Sequence, residues 1–93
     1  MQGDGRRVRE ADLVLLFLPA SAEESRVGLT VSRKVGGSVV RNRVKRWLRE
    51  AIRHERVGLR GRWDVVLIAR PTAATAGAAA LRAQVGHAFG RLR

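Results

Sequence analysis

Wound at about 100° per residue, the segment Val40–Arg56 sorts its side chains into two opposite arcs. Val40, Val44, Trp47, Leu48, Ala51 and Ile52 share one arc, and Asn42, Lys45, Arg46, Arg49, Arg53 and Arg56 share the other. A helix patterned this way must bury one side and leave a cationic surface on the other. Solvated helices usually alternate charge sign, because Glu–Lys pairs at i,i+4 stabilise by a few tenths of a kcal/mol and like charges at that spacing repel. Here Lys45 stacks with Arg49 and Arg49 with Arg53, a self-repulsion that a polyanionic partner would relieve.

The charge of the whole chain is concentrated around this segment. The 93 residues carry a formal net charge of +11, and residues 26–62 hold 12 of the 19 basic side chains against only Glu50 and Glu55. The flanking residues are close to neutral and read as scaffold. Arginine outnumbers lysine 17 to 2, and the guanidinium fork suits bidentate contact with phosphate oxygens. Arg41-Asn42-Arg43 opens the helix directly after the Gly36-Gly37 break, where free backbone N–H groups and the positive dipole end also favour anions.

The rest of the chain supplies a small α/β framework. Leu13–Leu18 is a short apolar run and reads as a buried strand. Arg26–Ser32 alternates with period two, placing Val27, Leu29 and Val31 on one face. Pro19 and the polar Ser21–Ser25 stretch between them read as a hairpin-like loop. Trp63–Ala69 is a third strand, rich in β-branched residues and ended by Pro71. Ala76–Leu92 places Leu81, Val85, Phe89 and Leu92 at helical spacing, despite Gly86 and Gly90. The expected order is β-β-α-β-α in a single RNA-binding domain over residues 1–93, with strands at 13–18, 26–32 and 63–69 and helices at 40–56 and 76–92.

Several function classes are disfavoured by what the sequence lacks. There are no cysteines, hence no disulfide framework and no thiolate metal site, and a reducing, cytoplasmic location is expected. His54 and His87 stand far apart, and no carboxylate cluster or Ser/His/Asp set marks a catalytic centre. Arg6 and Arg7 before an apolar run imitate a secretory signal, but the run is six residues long and preceded by Glu10 and Asp12. No stretch approaches the ~20 apolar residues that span a bilayer. A membrane-surface role would need the apolar arc of the basic helix, which the core requires. Major-groove DNA reading needs short polar side chains among the arginines, and only Asn42 and His54 offer them. A structured-RNA-binding protein, such as a ribosome-associated factor, accounts for the charge and size.

The run Arg26-Val-Gly-Leu-Thr-Val-Ser-Arg-Lys-Val-Gly36, followed by Ser38-Val-Val-Arg-Asn-Arg-Val-Lys-Arg-Trp-Leu-Arg-Glu50, closely resembles the bacterial ribonuclease P protein component. Its signature is the Arg-Asn-Arg segment at the start of a basic helix. The likeness continues through Asp64–Arg70, closing in Ala-Arg-Pro, and through His87-Ala-Phe89. It implies an α+β fold, a small two-layer α/β sandwich of the ribosomal protein S5 domain 2-like type. That fold includes a left-handed β-α-β crossover through the basic helix, against the usual right-handed rule.

The function implied is the protein subunit of ribonuclease P, an accessory to an RNA that removes the 5′ leader of precursor tRNA, with catalysis and Mg²⁺ belonging to the RNA subunit. Precursor tRNA and the RNA subunit are the implied partners. Arg41, Asn42, Arg43, Lys45, Arg46 and Arg49 match the motif and inherit its RNA contacts, and Arg33, Lys34 and Arg53 join them as RNA-binding candidates. Family members begin with a further basic, aromatic helix that packs on the sheet and helps line the leader cleft. Gly5-Arg6-Arg7-Val8 reads as the end of that helix, and an apolar part of the sheet is expected to lie uncovered. Leu16 and Phe17 stand where the family often places a tyrosine, so no stacking residue is assigned there.

Overall fold

The structure is a computed structural model and describes residues 5–20, 25–59 and 61–91. Four strands, β1 (Arg6–Arg9), β2 (Leu13–Pro19), β3 (Arg26–Thr30) and β4 (Trp63–Ala69), form one mixed sheet in the order β1-β2-β4-β3. Three helices, α1 (Ser38–Glu55), α2 (Ala73–Ala76) and α3 (Ala78–Gly90), accompany it, and a 3₁₀ turn at Arg56–Gly58 ends α1.

Gly5-Arg6-Arg7-Val8 does not end a helix. Arg6–Arg9 is an edge strand paired antiparallel with β2, Arg6 opposite Phe17 and Arg9 opposite Val14. Its period is two: Val8 turns inward and is buried, between arginines that stay exposed. The hairpin reading of β2 and β3 is also corrected. Those strands do not pair, because β4 lies between them, antiparallel to β2 along all seven residues and parallel to β3. Two apolar seven-residue strands side by side bury more than a β2–β3 hairpin could, and α1 supplies the crossover that a parallel β3–β4 pair requires. Residues 21–24 of the expected loop lie outside the described residues.

Alternation along β2 and β4 divides the sheet into two faces. Leu13, Leu15, Phe17, Val65, Leu67 and Ala69 point to the helices and are buried. Phe17 sits at the centre, edge-on to Trp63 (centroids 6.2 Å apart) and to Phe89 (6.1 Å). From above, Val44, Leu48 and Ala51 of α1 and Leu81, Val85, Ala88 and Phe89 of α3 close the core. The opposite face presents Leu16, Leu18 and Val66, of which Leu18 is 51% exposed.

The last helix is shorter than its periodicity suggested. Gly77 adopts φ +88°, a conformation that L side chains rarely take, and it breaks the alanine-rich run into α2 and α3. Leu92 lies outside the described residues. The turn Glu10–Asp12 is clasped to α3: Asp12 N–H donates to Gln84 Oε1 (2.9 Å), Gln84 Nε2 donates to Asp12 Oδ2 (2.7 Å), and His87 Nδ1 lies 2.7 Å from Glu10 Oε2.

Candidate nucleic-acid interface

Helix α1 starts two residues earlier than its hydrophobic pattern indicates. Gly37 is its N-cap in extended geometry, with no side-chain cap and no acidic residue in the first turn. The positive end of the helix therefore carries no compensating charge from its own first turn. A tight turn from Ser32 to Gly36 delivers the chain to this point, and it exposes Arg33 and Lys34. Gly36 is required by proximity: a Cβ there would come within 2.9 Å of the Val40 side chain.

Packing on the core splits the motif between the two flanks of α1. Arg41 and Arg43 are two residues, hence about 200°, apart around the helix. Arg41 is half-buried, and its Nε is enclosed without a hydrogen-bond partner among the described residues. Arg43 is exposed on the other flank, its guanidinium carbon 5.3 Å from the centroid of the Trp47 ring in a cation–π contact. Asn42 and Arg46 are exposed between the flanks.

On the β3 flank, Lys45 and Arg49 one turn apart and Arg56 two turns further on line a cleft of about 380 Å³ with Val27, Leu29 and Ile52. The alternation of β3 turns Val27 and Leu29 toward the helix, which makes the floor apolar while the wall is cationic. Lys45 and Arg49 form no ion pair among the described residues, and Arg56 donates to the Ser25 carbonyl oxygen. Arg56 belongs to the basic arc and joins the cleft although the family motif ends before it. Its spacing of seven residues from Arg49 was the available signal.

Arg53 differs from its neighbours. Its Nη2 donates to Glu50 Oε1 at 2.8 Å and its Nε to Oε2 at 3.3 Å. Hydrogen bonding and charge from Arg53 hold the Glu50 carboxyl below the usual carboxylate range, with a smaller contribution from His54, and the same pairing raises the Arg53 guanidinium. Of the sequence candidates, Arg41, Lys45 and Arg49 lie on the β3 flank and Arg46 on the exposed ridge between that flank and α3, with Asn42 and the preceding Arg33–Lys34 turn near the start of the helix. Arg43 turns toward Trp47, and Arg53 is already engaged. This array of unpaired cations on a rigid helix can bind closely spaced phosphates. Among the described residues no group of three or more His, Asp or Glu side chains could hold a metal ion, and no helix is long and apolar enough to cross a membrane.

The sequence and the fold are similar to those of known proteins. The family model described as Ribonuclease P matches residues 2–93. A ribonuclease P protein component from Dehalococcoides mccartyi is 50% identical over 78 residues, which cover 84% of this chain and 63% of that protein. One from Desulfatibacillum aliphaticivorans is 38% identical over 88 residues, covering 95% of this chain and 75% of the relative. Among solved structures, the RNase P protein from Thermotoga maritima superimposes with a TM-score of 0.85 at 26% identity, over 97% of this chain and 86% of that one. The Staphylococcus aureus RNase P protein gives 0.79 at 26% identity, over 89% and 76%. The chain thus spans somewhat under two thirds of the length of the Dehalococcoides relative.

Proposed function

The chain belongs to the ribonuclease P protein family, and from that premise we propose that it acts as the protein subunit of ribonuclease P, binding the catalytic RNA and assisting removal of the 5′ leader from precursor tRNA in the cytoplasm. The observation that carries the reading is the unpaired cationic flank of α1, where Lys45 and Arg49 stand over the Val27–Leu29 floor next to Arg41 and Arg46. Like charges one turn apart cost stability in the free protein and are compensated when phosphates replace their counterions. In this reading Arg33, Lys34, Arg41, Asn42, Arg43, Lys45, Arg46 and Arg49 contact RNA, with Arg53 recruited only when it leaves Glu50.

The protein positions and neutralises. In this reading Mg²⁺ belongs to the RNA subunit, and no chemical step is routed through the protein. The chain's contribution is to bring cationic groups to where backbone phosphates crowd together, which matters most at low salt and low Mg²⁺.

The test is direct binding of ribonuclease P RNA to the wild-type chain and to a combined R41A/K45A/R46A/R49A variant, with precursor-tRNA cleavage measured in parallel. The expected result is a large loss of RNA affinity with little change in melting temperature, and no cleavage by RNA-free protein. Unchanged affinity in the variant, or metal-dependent cleavage by rigorously RNA-free protein, overturns the reading.

A further inference from the structure

On the flank of α1 away from β3, a groove of about 730 Å³ runs between α1 and α3. Its lining combines small apolar residues, Ala51, Ala79 and Ala83, with Trp47 and with the polar side chains of His54 and His87. The size is that of a small-molecule or single-nucleotide site. We propose that this groove holds one unstacked nucleotide of the RNA bound along α1, its base on the alanine floor beside Trp47 and its phosphate at Arg46. The proposal rests on the RNA-binding reading above.

Charge selects this occupant. Both carboxylates in the lining are already neutralised, Glu50 by Arg53 and Glu55 by Arg82, whose Nε lies 2.7 Å from Glu55 Oε2. Arg46, at the rim, has no ion-pair partner among the described residues. The groove therefore presents an apolar floor and a free cation, the pair of features a nucleotide needs. Position selects it as well. Arg46 follows Lys45 in sequence and precedes Arg49 by three residues, so it stands on the ridge between the β3 cleft and the groove. A strand neutralised by Lys45 and Arg49 can cross that ridge at Arg46 and place its next base between the helices. Trp47, whose ring also meets Arg43, offers aromatic surface at the groove, and the second ring nitrogens of His54 and His87, whose Nε2 and Nδ1 are engaged by Arg53 and Glu10, offer hydrogen bonds to a base edge, as in recognition of single-stranded RNA.

The experiment compares ribonuclease P RNA binding by the wild-type chain, an Ala83→Leu variant and a Lys45→Ala/Arg49→Ala variant, while following the indole N–H resonance of Trp47, assigned by its persistence in a Trp63→Phe variant. Ala83 is exposed on α3, so leucine fills the groove without entering the core, and an unchanged melting temperature checks this. The expected result is an affinity loss of about tenfold in Ala83→Leu, the scale of one lost base stack. The Trp47 resonance should shift on RNA binding in the wild-type chain and stay put in Ala83→Leu. Wild-type affinity in Ala83→Leu, or a loss of affinity while Trp47 does not respond to RNA in the wild-type chain, overturns the groove proposal. If Lys45→Ala/Arg49→Ala still loses RNA in that case, the functional reading stands without it. If that variant binds normally too, the functional reading itself has failed.

Discussion

Glu55 reaches Arg82, 2.7 Å away, by passing directly over Gly86. A Cβ on residue 86 would lie 2.6 Å from Glu55 Oε1, so Gly86→Ala forces the carboxylate aside. That atom is the end of a flexible side chain, and the displacement sacrifices a half-exposed ion pair worth about 0–1 kcal/mol. Alanine in mid-helix returns about 1 kcal/mol relative to glycine. Gly86→Ala should therefore leave stability unchanged or raise it by up to about 1 kcal/mol. A Glu55→Gln/Arg82→Gln double-mutant cycle, measured by urea unfolding, should show coupling in the parent and none in the Gly86→Ala background.

Arg49 and Arg53 stand one turn apart on the same cationic arc, yet they should behave differently toward RNA. Arg49 has no ionic partner among the described residues, whereas Arg53 is held by Glu50. Arg49→Ala should weaken ribonuclease P RNA binding by roughly 1–3 kcal/mol and lower the slope of log K against log salt by about one. Arg53→Ala should weaken binding much less than Arg49→Ala, because that guanidinium must first leave its carboxylate. Filter-binding titrations at several salt concentrations check both.

The sequence exposed α1 well because its two arcs are long and opposed, and β2 and β4 because their apolar runs are unbroken. Strand pairing was hidden. Nothing in Leu13–Leu18 or Arg26–Thr30 reveals that β4 inserts between them, since that outcome depends on which long apolar strands bury each other best. β1 is not legible as a strand, because four residues with one apolar side chain carry almost no period. At the site, the cationic arc was readable residue by residue. What a wheel cannot show is which neighbours flank it: β3 on the side of Lys45 and Arg49, α3 on the side of Trp47, and Glu50 within reach of Arg53.

Phe17 and Leu18 are consecutive, but only Phe17 enters the core. Phe17 is fully buried and edge-on to two rings, while Leu18 is 51% exposed. Phe17→Ala should cost about 3–5 kcal/mol, a large part of a small domain's stability. Leu18→Thr, on the outer face, should change stability by no more than about 0.5 kcal/mol. Thermal and denaturant unfolding of the two variants should separate them clearly, and equal effects would mean that the register of β2 is wrong by one residue.

Asp12 gives the fold an acid-sensitive clasp. Hydrogen bonds from Thr72, first, and Gln84 hold its carboxyl below the usual carboxylate range, with a further contribution from the charge of Arg70 and a partial opposition from burial. The backbone N–H of the same residue donates to Gln84 Oε1, and its carbonyl accepts from Arg70 N–H at 2.9 Å, so the β1–β2 turn, the end of β4 and α3 meet at one residue. Because the carboxyl titrates lower in the folded chain than in the unfolded one, the unfolded state takes up the proton first as pH falls. The stabilisation is complete above the unfolded value of about 3.9 and is lost as pH drops through the lower folded value. Asp12→Asn removes the charge and exchanges an acceptor oxygen for a donor amide facing Gln84 Nε2. It should lower stability at neutral pH by roughly 1 kcal/mol. The gap between variant and parent should be constant from pH 7 to about 5 and should narrow below about pH 4. Urea unfolding at stepped pH measures this, and a gap that persists undiminished below pH 3 would show that the clasp acts through shape alone and not through the charge on Asp12.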